Sequence, residues 1–147
     1  PEQLGNRLGT EILNYGVSGD TTRDGLARLD DALEMKPRVV IILLGGNDFL
    51  KKIPRGETFA NLEQIVTAFQ RGGAITVVVG VRSGIIGGGA DDEFEALAKK
   101  TGSVSVSDVL SGIFGHAELM SDAIHPNSVG YGRIADRLAP LLLKYVK

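Results

Sequence analysis

The chain of 147 residues has 16 lysine and arginine residues against 18 aspartate and glutamate residues, and 43% of it is hydrophobic. This length and composition suit one globular domain with an apolar core, and the balanced charge without a basic block makes nucleic acid a poor candidate for a partner. The absence of cysteine excludes disulfides and cysteine nucleophiles, and the longest wholly apolar run, residues 39–44, is too short to span a membrane.

Helical and extended patterns alternate along the chain. Apolar residues at helical spacing, bounded by capping residues and glycines, predict the helices, and short apolar or alternating runs predict the strands. The predicted helices cover residues 2–10, 21–35, 57–71, 91–100 and 128–146. The predicted strands cover residues 11–17 (EILNYGV), 38–44 (RVVIILL), 74–81 (AITVVVGV) and 103–107 (SVSVS).

Individual residues mark several of the predicted helix ends. Thr21 or Thr22 is predicted to cap the second helix, and Pro37 ends it. Asn127 is placed to cap the last helix. Pro140 lies inside that helix, where its missing N–H should kink or locally break the helix.

Strands that alternate with helices predict a parallel sheet covered by helices on both faces. The long apolar run of residues 38–44 is typical of a strand buried on both faces. We therefore expect residues 1–147 to form a single α/β domain, a three-layer α/β/α sandwich. Ligands in such folds bind at the carboxyl ends of the strands, so functional residues should follow strands directly.

Two loops of small and polar residues follow predicted strands. Residues 45–48 (GGND) follow RVVIILL, and residues 18–22 (SGDTT) follow EILNYGV. The side-chain amide of Asn47 and the backbone N–H of Gly19 are donors of the kind that stabilises an oxyanion. An alternative interpretation is that both loops are ordinary turns between a strand and a helix.

The segment MSDAIHPN, residues 120–127, contains one of the two histidines of the chain. An aspartate three residues before a histidine can fold back within one loop, so that Asp122 accepts a hydrogen bond from the His125 ring and fixes its tautomer. The second ring nitrogen is then available as a general base. Pro126 restricts His125 to extended backbone angles. The alternative is a capping histidine beside a solvated aspartate.

Together these segments resemble the SGNH (GDSL) hydrolase superfamily, and most of all its small bacterial arylesterases, lysophospholipases and acyl-thioesterases. NYGVSGDTTRDGLARL resembles the glycine block of the family, LLGGND its asparagine block and MSDAIHPNSVGYGRIA its Asp-His block. The resemblance implies a serine esterase that hydrolyses acyl esters or thioesters through an acyl-enzyme. It implies that Gly19 and Asn47 form the oxyanion hole, that His125 is the general base and that Asp122 orients it.

The nucleophilic serine of the family lies in a Gly-Asp-Ser block directly after the first strand, and no Gly-Asp-Ser occurs in the 147 residues. By the resemblance the sheet is flavodoxin-like, with strand order 2-1-3-4-5, and the central first strand is missing from this chain. We therefore expect the domain to be incomplete at its N-terminus and the nucleophile to lie upstream of Pro1. Ser18 is a weaker candidate, and Ser121 is expected to be a solvated loop hydroxyl.

The expected substrate is a small-molecule or lipid acyl ester, with Phe49, Leu50 and the glycine-rich residues 84–89 (GIIGGG) lining its pocket. No cofactor and no metal are expected, because carboxylates such as Asp20 and Asp48 more often cap helices or bind local backbone. We expect a soluble protein, either secreted, periplasmic or cytoplasmic, and the sequence leaves its oligomeric state open.

Two other function classes stay open at this point. The first is a non-catalytic carbohydrate- or acyl-binding relic of the same fold. The second is a flavodoxin-like nucleotide or phosphate binder that uses GVSGDTT as an anion loop, although this loop matches neither the P-loop motif nor the dinucleotide-binding motif.

Overall fold

The computed structural model describes residues 1–80 and 90–146, so the glycine-rich segment at residues 84–89 lies outside the described residues. One or more helices separate the successive strands, and the chain divides into two compact units. We call residues 15–108 the sheet unit, and residues 1–14 together with 109–146 the helix unit. The elements are α1 Glu2–Leu8, α2 Thr22–Ala27, α3 Leu29–Glu34, β1 Val39–Ile42, α4 Gly46–Leu50, α5 Arg55–Arg71, β2 Ile75–Val79, α6 Ala90–Thr101, β3 Val104–Val106, a 3₁₀ helix Ala117–Leu119, and α7 Ser128–Val146.

The sheet unit is built on three parallel strands in the order β1-β2-β3. In the register of the sheet, Val39 lies opposite Ile75 and Val79 lies opposite Val106. Helix α5 presents an apolar stripe at helical spacing to the core of this unit. The stripe consists of Leu62, Ile65, Val66 and Phe69, all of which are buried. The predicted α/β class with a parallel sheet is confirmed.

The helix unit contains α1 and α7, which pack against each other. Leu138 and Leu142 of α7 are buried in this unit. Polar contacts join the two helices at their surface, where Arg7 Nε lies 2.6 Å from Asp136 Oδ1. Helix α7 continues past Pro140 to Val146, so the predicted local break does not occur. Proline lacks only its own backbone N–H donor, and the residues before and after it keep the N–H groups that form helical hydrogen bonds.

The predicted strand at residues 11–17 is wrong, because this segment has no regular secondary structure. Its apolar side chains are largely exposed, with 53% of Leu13, 41% of Tyr15 and 57% of Val17 accessible to solvent. A strand is stable only beside a partner that takes up its N–H and C=O groups, and the described residues provide no strand that pairs with this segment.

Two other predictions need smaller corrections. The helix expected over residues 21–35 is divided at Arg28 into α2 and α3. Strand β1 was expected to be buried on both faces, but only Ile42 is buried and the other three residues are half-buried. Within the described part of the chain β1 pairs with β2 alone, so it is an edge strand of this sheet. No helix among the described residues is both long and apolar enough to cross a lipid bilayer.

We expect Leu62→Ala to lower the free energy of unfolding by about 2–5 kcal/mol. The leucine lies on the buried face of α5, and removal of its side chain leaves a cavity in the core. The change is measured by denaturant unfolding. The control is Met35→Ala in the same unit, where half of the side chain is exposed and the cost should stay within about 0.5 kcal/mol. Equal losses in the two variants would contradict the described core.

Candidate active site

Asp122 and His125 contact each other directly in the helix unit. The Nδ1 atom of the histidine ring lies 2.7 Å from Asp122 Oδ2. The other carboxylate oxygen, Oδ1, accepts hydrogen bonds of 2.8 Å from the backbone N–H groups of Ile124 and His125. One carboxylate therefore both shapes the loop and holds the ring.

The protonation of this pair follows from the same contacts. The pKa of Asp122 is lowered from 3.8 to about 2, first by the hydrogen bond from the Ile124 backbone and then by the ring and backbone N–H groups of His125. A carboxylate with such a pKa is ionised at neutral pH and can only accept hydrogen bonds. Nδ1 must then be the protonated ring nitrogen, which leaves Nε2 of His125 as the nitrogen that can take up a proton.

Backbone hydrogen bonds fix the loop on both sides of the histidine. Met120 and Pro126 form an antiparallel bridge, and the backbone N–H of Ser121 donates to the His125 carbonyl oxygen at 2.7 Å. Asn127 then caps α7, because its Oδ1 accepts from the N–H groups of Val129 at 2.9 Å and of Gly130 at 3.0 Å. The predicted cap is confirmed, and it connects the histidine loop to a 19-residue helix.

Gly130 lets the first turn of α7 approach this loop closely. A Cβ atom at this position would lie 2.3 Å from the Leu119 carbonyl oxygen and 2.8 Å from Cβ of Pro126. Both distances are shorter than van der Waals contact, so a side chain would push α7 away from the residue that follows His125. The sequence alone does not mark Gly130. The atoms that leave no room for a side chain belong to Leu119 and Pro126, which lie outside α7, and they approach Gly130 only in the folded loop.

The second pair of predicted residues, Gly19 and Asn47, lies in the sheet unit. Gly19 has a φ of +85°, which favours glycine. The side-chain amide of Asn47 donates to the Asp20 carbonyl oxygen at 2.9 Å, so α4 holds the turn that contains Gly19. Among the described residues no acceptor takes the N–H of Gly19, and Asn47 keeps one amide hydrogen free of that bond. These are two donors available to a ligand.

Charged side chains hold the same turn from two further directions. Lys51 Nζ donates to the Gly19 carbonyl oxygen at 2.9 Å. Arg28 forms an ion pair of 2.7 Å with Asp20 and also donates to the Tyr15 carbonyl oxygen. The turn is therefore fixed by side chains from α4 and from the boundary between α2 and α3.

Thr21 ends the turn with a capping box. Its side chain accepts from the N–H of Asp24 at 3.4 Å, and the Asp24 carboxylate accepts from the N–H of Thr21 at 2.8 Å. The Thr21 hydroxyl also donates to the Asp24 carboxylate at 2.7 Å, and the bonds that the Thr21 backbone and hydroxyl donate lower the pKa of Asp24. The spacing of threonine and an acidic residue three positions later is a sequence signal that identifies the capping box as well as the cap.

The remaining predicted residues lie near Asn47, Gly19 or Asp122 in the sequence. Phe49 and Leu50 follow Asn47 on α4 and expose 37% and 54% of their surface, and their role as pocket walls stays a prediction. Ser18 is exposed beside Gly19. The Ser121 hydroxyl donates to the Pro126 carbonyl oxygen at 3.4 Å, a contact within its own loop.

Carbon-13 NMR titration of the Asp122 carboxyl group should give a midpoint near pH 2. Because the folded pKa is lower than 3.8, ionised Asp122 stabilises the fold above about pH 4, and this contribution is lost as the pH falls through the folded pKa. His125→Ala removes the ring donor and leaves the two backbone donors, so the midpoint should rise only part of the way to 3.8. A midpoint of 3.8 in the unsubstituted protein would contradict the described loop.

We expect Gly130→Ala to lower the free energy of unfolding by about 1–3 kcal/mol and to shift the NMR signals of the His125 ring, because α7 must move away from the Leu119 carbonyl. The matched control is Gly56→Ala on α5, where a Cβ atom meets nothing within 4 Å. That control should be neutral or slightly stabilising. A neutral Gly130→Ala would show that the close approach is not present in solution.

Comparison with known proteins identifies the family. Residues 1–133 match the GDSL-like Lipase/Acylhydrolase family. Esterase TesA of Pseudomonas aeruginosa is 30% identical over 140 residues, which are 89% of this chain and 69% of that protein. The Escherichia coli K12 protein named thioesterase 1/protease 1/lysophospholipase L1 is 31% identical over 140 residues, 90% of this chain and 67% of that protein.

A solved structure shows the same fold. The crystal structure of TesA matches with a TM-score of 0.90 at 29% sequence identity, and the match covers 98% of this chain and 87% of that one. The resemblance of the three sequence blocks to SGNH (GDSL) hydrolases is thus confirmed. The chain belongs to the GDSL-like lipase/acylhydrolase family.

Proposed function

We propose that this protein is a serine esterase that hydrolyses acyl esters or thioesters through a covalent acyl-enzyme. The observation that carries the proposal is the 2.7 Å contact between Asp122 Oδ2 and His125 Nδ1. An ionised carboxylate on Nδ1 leaves Nε2 as a base and stabilises the imidazolium that forms when this base takes a proton.

The reaction begins when His125 Nε2 removes the proton of a serine hydroxyl, whose oxygen then attacks the acyl carbon. The carbonyl oxygen of the substrate becomes an oxyanion, which accepts hydrogen bonds from the Gly19 N–H and the Asn47 amide. His125 gives its proton to the alcohol or thiol that leaves. A water molecule repeats the sequence on the acyl-enzyme and releases the acid.

We propose that the nucleophile is the serine of a Gly-Asp-Ser block, as the resemblance to the family implies, and residues 1–147 do not contain such a block. The local contacts of the internal serines support this assignment. Ser121 gives its hydroxyl hydrogen to the Pro126 carbonyl, and Ser18 directly precedes Gly19, which the mechanism uses as an oxyanion donor.

The substrate class is an ester or thioester of a small or lipid alcohol or thiol. The names of the two relatives, esterase TesA and thioesterase 1/protease 1/lysophospholipase L1, support this class. Phe49 and Leu50 lie two and three residues after the Asn47 donor on α4 and are exposed, and we propose that they contact an acyl chain whose carbonyl is bound by Asn47. No cofactor takes part in the proposed steps.

The test is labelling with a fluorophosphonate, which reacts with activated serines, followed by intact-mass measurement and peptide mapping. We expect a single phosphonyl adduct on a serine outside residues 1–147. An adduct on Ser18 or Ser121 would overturn the assignment of the nucleophile. The absence of any adduct, with no ester hydrolysis, would favour the non-catalytic acyl-binding alternative.

His125→Ala should lower kcat/KM for a p-nitrophenyl ester by about 10²- to 10⁴-fold, because the reaction loses its general base. The second histidine provides a matched control. His116 is similarly exposed, and its Nδ1 lies 3.3 Å from a carboxylate oxygen of Glu118. His116→Ala should retain activity, and a comparable loss in both variants would remove the special role assigned to His125.

A further inference from the structure

A carboxylate directly beside the proposed oxyanion donor has no part in the mechanism above and is fully buried. Asp48 follows Asn47 on α4 and has 0% of its surface exposed. Removing an ionisable group from water is unfavourable unless hydrogen bonds replace its hydration. The contacts of Asp48 therefore identify what the buried group holds in place.

Three donors surround the carboxylate. Oδ2 accepts the backbone N–H of Thr22 at 2.9 Å. Oδ1 accepts the Thr22 hydroxyl and, at 3.2 Å, the Thr58 hydroxyl. Thr22 is itself fully buried, and Thr58 is 6% exposed.

The direction of the Thr22 hydrogen bond follows from a fourth residue. The side-chain amide nitrogen of Asn61 lies 3.0 Å from Thr22 Oγ1 and can only donate. The threonine oxygen accepts that hydrogen, so its own hydrogen points to Asp48. Asp48 thus binds both the backbone and the side chain of one residue, Thr22, which lies 26 positions earlier in the chain.

This contact joins the two segments that provide the oxyanion donors. Thr22 lies three residues after Gly19, and Asp48 lies one residue after Asn47. The bond from Asn47 to the Asp20 carbonyl joins the same segments at a second point. Together with the bond from Lys51 to the Gly19 carbonyl, these connections fix the separation and relative rotation of the turn and the short helix, which a single hydrogen bond would leave free.

We propose that Asp48 and Thr22 are positioning residues that hold the Gly19 N–H and the Asn47 amide at the separation required to bind one oxyanion. This inference rests on the proposed function, in which Gly19 and Asn47 are the donors. Neither Asp48 nor Thr22 touches the substrate. Their effect is exerted through geometry, and a displacement of about 1 Å in such a group can cost about 100-fold in rate.

The chain offers a matched pair of substitutions for the test. Thr22→Val and Thr58→Val each replace a hydroxyl by a methyl group of similar size, and each removes one hydrogen bond to the same oxygen, Asp48 Oδ1. Each also removes one further contact, from the Asn61 amide to Thr22 and from Thr58 to the Pro54 carbonyl. Only Thr22 is connected to the Gly19 turn. Thr22→Ser keeps the hydroxyl and serves as the conservative variant.

We expect Thr22→Val to lower kcat for a p-nitrophenyl ester by about 10- to 100-fold with little change in KM, because the donors act on the oxyanion rather than on the bound ester. Thr58→Val should cost much less, and Thr22→Ser should restore most of the rate. The free energy of unfolding of each variant is measured in parallel, so that rates are compared for folded protein. Equal losses of kcat in Thr22→Val and Thr58→Val would overturn the proposal and leave the network with a structural role alone.

A second measurement does not depend on catalysis. In ¹H–¹⁵N NMR spectra, Thr22→Val should shift the Gly19 backbone amide and the Asn47 side-chain amide, and Thr58→Val should shift them much less. If both variants leave these signals in place, the positioning role is refuted even in an active enzyme. If the unsubstituted protein shows no esterase activity, the proposed function fails, and the spectra still decide whether Asp48 holds the two donors.

Discussion

Backbone N–H groups in loops need acceptors, and this requirement accounts for most of the architecture around both pairs of site residues. Asp122 accepts two backbone N–H groups in the histidine loop, and Asn127 accepts two at the start of α7. Asp48 accepts the N–H of Thr22. Short polar side chains therefore replace the ladders and helical turns that would otherwise satisfy these donors, and they hold irregular backbone in defined conformations.

Two of these acceptors also bear on the proposed chemistry. The second oxygen of Asp122 holds the His125 ring, and Asp48 lies next to Asn47 on a short helix. A rigid loop and an oriented reactive group thus come from the same side chain. Substitution of such a residue alters backbone conformation and chemistry together, which is why matched controls such as Thr58 and His116 are needed to separate the two effects.

Features that depend on residues close in sequence could be predicted. The caps at Thr21 and Asn127 and the contact between Asp122 and His125 each involve residues two or three positions apart, and the structure contains all of them. The class of the fold follows from the alternation of helical and extended patterns along the chain. Local periodicity is set by the backbone geometry of each element and is readable without knowledge of its neighbours.

Features that depend on distant residues could not be predicted in this way. The contact between Thr22 and Asp48 has no local signal, because any polar residue 26 positions away is an equal candidate. Arg28, at which the predicted helix divides, likewise binds residues outside α2 and α3, namely Asp20 and the Tyr15 carbonyl. The sequence of residues 11–17 has the alternation of a strand, but pairing requires a neighbour that periodicity cannot supply.

Asp122 and Asp48 both orient hydrogen-bond donors, one as an exposed carboxylate and the other as a buried one. Asp122 and His125 expose more than half of their side chains, so solvent screens the attraction between them, and exposed pairs of this kind add little to stability. Asp48 is fully buried, where its hydrogen bonds must offset the loss of hydration. A hydrophobic residue of similar size could fill the buried position without any hydration to replace. What hydrophobic residues cannot supply is direction: in both places the carboxylate fixes the orientation of specific N–H and O–H groups, and the proposed esterase mechanism depends on that orientation.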